Sequence, residues 1–357
     1  MKINFNSGPA ALPREVLEAA AEAVLEYEHT GISILSLAHR SPEFEAILDE
    51  ARHLTLDILG LDNSYEVIWF QGGGRLQFEM IPMNFLAAQE TAAYIDSGHW
   101  AADAMSNVAR YGNLHIAGSS AVIRYRSVPR ILDIPATAKY LHLTSNNTIY
   151  GTQCFDFPNT EVPIIADFSS ELFSRRLDYS KFSMIYAVAQ KNLGPAGATL
   201  VVAKKDFIKH TVRPLADILN YSVMADKNSL VNTAPVFPIY VSLLNLRYIA
   251  SKGLAQIELE NEEMARMLYE FIDHSNLYQG IADKDSRSKM NVCFVMGNEN
   301  IEKDCPARAG AGFTGICRIY EHYRYCRAQE YRGLPGFPVQ CHNDRRCAGF
   351  NKDACHI

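Results

Sequence analysis

Residues 187–197 read Ala-Val-Ala-Gln-Lys-Asn-Leu-Gly-Pro-Ala-Gly, and this stretch decides how the chain is read. Lys191 follows an apolar run, Ser183-Met-Ile-Tyr-Ala-Val-Ala, and precedes a Gly/Pro-rich turn, so the pattern places it at the C-terminal end of a strand. In open α/β sheets, ligands gather at that end of the strands. A lysine partly withdrawn from water there loses its proton and condenses with an aldehyde to a Schiff base. Asp167 lies twenty-four residues upstream and closes another apolar run, Val162-Pro-Ile-Ile-Ala-Asp. An aldehyde-reactive lysine with a carboxylate for a pyridinium nitrogen is the donor set of pyridoxal phosphate chemistry. The same spacing also describes a surface lysine after a core strand, and on spacing alone both readings stand.

The chain has 357 residues, enough for two domains, with 48% hydrophobic and 21% charged residues, ordinary for a globular enzyme. Net charge is −6 with no long basic run, which argues against nucleic acid or an anionic membrane as partner. No apolar stretch approaches the about 20 residues of a membrane helix. The N-terminus carries no apolar core of a signal peptide, and the first 304 residues hold only Cys154 and Cys293, so a reducing cytoplasm is expected.

Pro13 opens a helical pattern from Arg14, and residues 44–59 repeat apolar positions at helical spacing up to Gly60. From Val67 to about Lys204, short apolar runs alternate with polar helical stretches and Gly turns, which predicts a mostly parallel, helix-covered sheet. Residues 239–272 read as helix with a break at Gly253, a candidate hinge between a large and a small domain. Met290–Met296 reads as the strand that opens the smaller domain's sheet. Gln71-Gly-Gly-Gly-Arg75, between a strand and a helix, lets backbone N–H groups approach an anion; a plain tight turn has the same composition.

The strings Asn4–Pro13, Leu37–Phe44, Phe70–Phe78, Asp96–Ala101, Ser145–Gly151, Ile165–Asp178, Ala187–Gly197 and Asn232–Tyr240 resemble, in order and spacing, the phosphoserine aminotransferase family. These are class-V, fold-type-I pyridoxal phosphate enzymes. The resemblance implies an α/β large domain with a seven-stranded-type sheet, a smaller α/β domain and a homodimer. It divides the chain into an N-terminal segment (1–15) near the active site, a cofactor domain (16–250), a small domain (251–304) and a tail (305–357). The implied reaction moves the amino group of L-glutamate to 3-phosphohydroxypyruvate, in serine and often pyridoxine biosynthesis.

The family's roles fall residue by residue. Lys191 binds the cofactor and carries the proton, and Asp167 meets the ring nitrogen. Gly74 and Arg75 hold the phosphate region, Thr148 shares that job or hydrogen-bonds the ring's oxygen, Trp100 stacks on the ring, and Gln190 touches the cofactor. Asn232 and Thr233 reach the phosphate of the neighbouring subunit's cofactor. His39, Arg40 and, less centrally, Ser7 serve the substrate. No metal is implied. The alternatives are another class-V enzyme of the alanine–glyoxylate aminotransferase or cysteine desulfurase kind, or a non-catalytic product of a broken gene.

Residues 305–357 depart from the family. Six of the eight cysteines (Cys305, Cys317, Cys326, Cys341, Cys347 and Cys355) and seven arginines fall there, and neither helical nor strand periodicity is evident after Phe313. Zinc-finger spacing is absent, which argues against a metal-binding appendix. Written as degenerate codons and moved forward by one base, Gly333–Phe350 permits AFRASLYNAITIEGAQAL, a family-like segment. Arg318–Arg324 likewise permits GYMSITG. A frameshift accounts for both. The family arginine that clamps the substrate's α-carboxylate would then have its codon straddling Pro335 and Gly336.

Overall fold

The computed structural model describes residues 6–296, 313–320 and 323–330. Pro13 leads into α1 (Arg14–Leu25). Ser41 caps α2 (Pro42–Leu59), its hydroxyl accepting from the Phe44 N–H, with Pro42 in the first turn, where its missing N–H costs nothing. Gly60 ends that helix at φ 65°, a left-handed conformation that favours glycine. Both ends of α2 are thus written locally.

Seven strands form the main sheet in the order β1-β9-β8-β7-β4-β2-β3. They are β1 (Tyr65–Gln71), β2 (Thr91–Asp96), β3 (Asn113–Ser119), β4 (Leu141–Thr144), β7 (Ile164–Asp167), β8 (Met184–Val188) and β9 (Ala198–Lys204). From β3 through β8 every pairing is parallel, whereas β9 runs antiparallel to both β8 and β1. A two-stranded ribbon, β5 (Asn146–Asn147) with β6 (Thr152–Gln153), follows β4.

Every residue of β4, β7 and β8 is buried, as strands covered on both faces must be. Alternate side chains go to opposite faces. Leu141, Leu143, Ile164, Ala166, Ile185 and Ala187 face one apolar core, which α2 and α7 (Val236–Lys252) cover. Tyr94, Ile165, Met184 and Tyr186 face the other, covered by α3 (Gly74–Phe85), α4 (His99–Met105) and α6 (Tyr221–Asp226). The short α5 (Lys205–Ile208) follows β9.

Helix α7 ends at Gly253 (φ 80°), where α8 (Leu254–Asp273) begins. A second, antiparallel sheet follows: β10 (Tyr278–Gly280), β11 (Asn291–Met296), β12 (Phe313–Tyr320) and β13 (Tyr323–Glu330). Two expectations are corrected here. The short β10, not Met290–Met296, opens this sheet; three residues are too few to display a strand period. Strands also occur after Phe313, where the sequence shows no periodicity, because β12 pairs along β11 and takes its conformation from that partner. The remaining expectations for residues 305–357 fall outside the described residues.

The turn after Lys191 packs tightly on α7. A Cβ placed on Gly194 would lie 2.3 Å from Ser242 Oγ. Gly194→Ala should therefore cost about 1–3 kcal/mol of stability from overpacking, and adding Ser242→Ala should recover part of it, as read from denaturant midpoints. An unchanged midpoint in Gly194→Ala would show that the turn stands off the helix.

Candidate active site

Strand order reverses between β2 and β4: the chain runs outward from β2 to β3, then returns to the other side of β2. Such a switch point leaves a crevice at the carboxyl ends of the strands. Trp100, just after β2, and Thr148, just after β4, meet there, and Trp100 Nε1–H donates to Thr148 Oγ1 at 3.0 Å. Glycine at 98 is required for this approach, since a Cβ would come within 2.8 Å of Asn147 Oδ1.

Lys191 lies in the turn that follows β8, with Nζ 5.6 Å from the centre of the Trp100 ring. The Arg75 guanidinium is also 5.6 Å from that centre, and Arg75 Nε donates to Asp103 Oδ2 at 2.8 Å. Gly74 and Arg75 form the first turn of α3, whose free N–H groups and dipole favour an anion. The glycine loop before α3 is tied to the lysine turn: Gly72 N–H donates to Gly197 O at 3.2 Å, and Thr199 Oγ1 donates to Gly72 O at 2.9 Å.

Asp167 ends β7, one strand from Lys191. Burial pushes its carboxyl above the usual range, and that outweighs the opposing pull of the Lys191 charge and the hydrogen bonds from Ser169 and Tyr186. The Ser169 N–H donates to Asp167 Oδ1 at 2.8 Å. A carboxylate so placed favours any cation brought against it.

The N-terminal segment runs over the lysine. Ala10 N–H donates to Gln190 O at 2.9 Å, and a Cβ on Gly8 would meet Lys191 Cγ at 3.3 Å. Ser7 belongs to this segment. Asn232 Nδ2 donates to Gln71 Oε1 at 3.3 Å, and the Gln71 side-chain amide donates to Thr233 O, so both residues border the glycine loop of their own protomer. His39 and Arg40 occupy the turn before α2; His39 Nε2 is buried without a hydrogen-bond partner and Arg40 is exposed. The contacts that draw Lys191, Asp167, Trp100, Arg75 and Thr148 together do not include them.

These residues fit pyridoxal phosphate. An amine for the aldehyde, a buried carboxylate in want of a cation, an aromatic face 5.6 Å from the amine and a glycine loop entering a helix N-terminus answer the four parts of that cofactor. Sequence reading missed Ser169 and Tyr186 beside Asp167, and His142, whose Nε2 lies 3.0 Å from the Tyr186 hydroxyl. A tyrosine inside an apolar strand was the available signal, because a buried hydroxyl needs a partner.

Among the described residues, no helix is long and apolar enough to cross a membrane. Residues 3–305 match the model of the class-V aminotransferases. The phosphoserine aminotransferase of Flavobacterium johnsoniae is 45% identical over 342 residues, covering 95% of this chain and 96% of its own. That of Bacillus subtilis is 42% identical over 303 residues, covering 84% of each. The first alignment runs past residue 304, so the tail is not wholly without a counterpart, contrary to the expectation from the motifs. The structure of phosphoserine aminotransferase from Bacillus circulans subsp. alkalophilus superposes with a TM-score of 0.81 at 42% identity, covering 85% of each chain. The pyridoxal-phosphate-bound enzyme of Trichomonas vaginalis gives 0.80 at 30% identity, covering 86% of this chain and 87% of that one. The chain belongs to the class-V aminotransferases, enzymes that work with pyridoxal phosphate.

Proposed function

We propose that this protein transfers the amino group of L-glutamate to 3-phosphohydroxypyruvate, giving O-phospho-L-serine and 2-oxoglutarate. The observation that carries the reading is the convergence of Lys191, Asp167 and Trp100 at the switch point of a chain whose relatives are phosphoserine aminotransferases. When bound, pyridoxal phosphate supplies an aldehyde and an electron-accepting ring. Lys191 Nζ would hold the cofactor at its aldehyde and, as a free amine, would accept and return the proton of the substrate's Cα. The Asp167 carboxylate balances a positive ring nitrogen. Trp100 would stack on the ring and keep water from it. Gly74, Arg75 and Thr148 receive the phosphate end, with Gln190 beside the lysine. His39 and Arg40 are assigned to the substrate's anionic groups, for which a planar guanidinium is suited, with Ser7 nearby.

We assign the chain to a cytoplasmic homodimer in which Asn232 and Thr233 complete the partner's phosphate site. The buried free thiols of Cys154 and Cys293 agree with a reducing compartment. The division into 1–15, 16–250, 251–304 and 305–357, with Gly253 as hinge, is retained as a proposal.

Three outcomes follow. Protein with residues 305–357 translated in the alternative frame should yield phosphoserine from glutamate and 3-phosphohydroxypyruvate, whereas Lys191→Ala in that protein should yield none and trap no cofactor with borohydride. Cofactor trapped on another lysine would refute the assignment.

Asp167→Asn should lower turnover about 10²-fold, roughly 3 kcal/mol of barrier. It should also change the pH dependence of the cofactor-free protein. Because the folded-state pKa of Asp167 lies above the ordinary 3.8, the folded state binds more protons than the unfolded state between the two values. Stability attributable to this group is present below 3.8 and falls as pH rises through the folded value. Asp167→Asn should flatten that limb and raise the thermal midpoint at neutral pH; a variant with the same slope as the parent would place the titration elsewhere.

Residues 305–357 are proposed to be out of frame. The chain as written should bind glutamate poorly, because losing a bidentate contact to a buried carboxylate costs about 2–5 kcal/mol. A protein with this segment translated in the alternative frame should be active. Full activity of the 357-residue chain would refute the frameshift.

A further inference from the structure

The buried wall behind Asp167 holds polar groups that the scheme above does not use. Asp167 on β7 and Tyr186 on β8 are direct neighbours in register, so their side chains leave the same sheet face side by side, and each shifts the other's titration. On the far side of β7, His142 of β4 points to the same sheet face, and its Nε2 lies 3.0 Å from the Tyr186 hydroxyl. The His142 ring stacks on Tyr94, with centroids 4.7 Å apart and planes at 25°.

Hydrogen-bond chemistry fixes the direction of this row. An ionised carboxylate only accepts, and a tyrosine has one proton to give. With the Asp167 carboxylate as its neighbour, the Tyr186 O–H is assigned as donor to Asp167, which leaves its oxygen to accept from His142 Nε2–H. Nδ1 is then the bare nitrogen, and Nδ1 is the His142 atom left without a partner. We propose that Tyr186 is a positioning residue, oriented by His142, which holds Asp167 in its ionised form facing the ring nitrogen of the cofactor. This rests on the reading of Asp167 given above. Burial lowers the pKa of His142 to about 3, so the ring is neutral and brings no competing charge. The titratable groups against Asp167 are Lys191 and Tyr186; those around His142 are Tyr94 and Tyr186, with Tyr140 and Tyr221 beyond them.

The test is the affinity of the full-length protein for pyridoxal phosphate, followed by fluorescence from acid to mildly alkaline pH. Lowering the pH protonates Asp167 and weakens its hold on the ring cation. Removing the Tyr186 donor raises the Asp167 pKa, so that weakening should begin at a higher pH. Tyr186→Phe should bind about tenfold more weakly at mildly acidic pH, as expected for loss of a hydrogen bond to a charged group. In an Asp167→Asn background the same substitution should have no further effect. His142→Phe, which keeps a flat ring in the stack, should shift the limb in the same direction, and His142→Gln, which keeps an N–H donor, should restore it; these two decide the matter if Tyr186→Phe does not fold. An equal loss in both backgrounds, or an unshifted limb in Tyr186→Phe while Asp167→Asn loses it, would overturn the proposal. Unchanged binding in Asp167→Asn alone would instead overturn the reading of Asp167.

Discussion

One buried carboxylate organises this molecule. Asp167 ends a strand whose every residue is buried, in a sheet covered on both faces. An ionised carboxylate so placed is expensive unless hydrogen bonds and a cation offset its desolvation. The fold supplies the Ser169 N–H, the Tyr186 hydroxyl and the Lys191 charge, and burial still dominates. The site therefore favours a positive group against Asp167, and under the proposed function a protonated pyridine would supply it.

The remaining architecture delivers the other groups to that carboxylate. Trp100 and Thr148 arrive from two strands on either side of the switch point, joined by one hydrogen bond. The glycine loop and the lysine turn come from chain segments over a hundred residues apart, yet Thr199 and Gly197 bind them through the backbone of Gly72. Gly194 lets that turn press on α7. A buried polar cluster joins the β5–β6 ribbon that follows β4 to the second sheet: Asn146 Nδ2 donates to Asn291 Oδ1 at 2.8 Å, and the Ser288 hydroxyl donates to Asn146 Oδ1.

Much of this was legible in the sequence because the functional residues stand where patterns change. Lys191, Asp167 and the Gln71–Arg75 glycines sit at the ends of apolar runs, where periodicity marks a strand's termination. Helices α1 and α2 announce themselves through Pro13, the apolar spacing of residues 44–59 and Gly60. Tyr186 and His142 were hidden for the opposite reason. They lie inside strands, where alternation assigns them to the core, and only the three-dimensional register sets Tyr186 beside Asp167 and His142 against the Tyr186 hydroxyl. Strand β12 was hidden because its pairing with β11 is nonlocal, and the contact of Asn232 with Gln71 spans a separation that no local pattern encodes.

The account turns on the charge state opposite Asp167. The most direct measurement is the nitrogen-15 chemical shift of ring-labelled pyridoxal phosphate bound to the full-length protein at neutral pH. A protonated pyridinium is predicted, reverting toward the unprotonated position in Asp167→Asn. An unprotonated ring nitrogen in the parent protein would contradict the account.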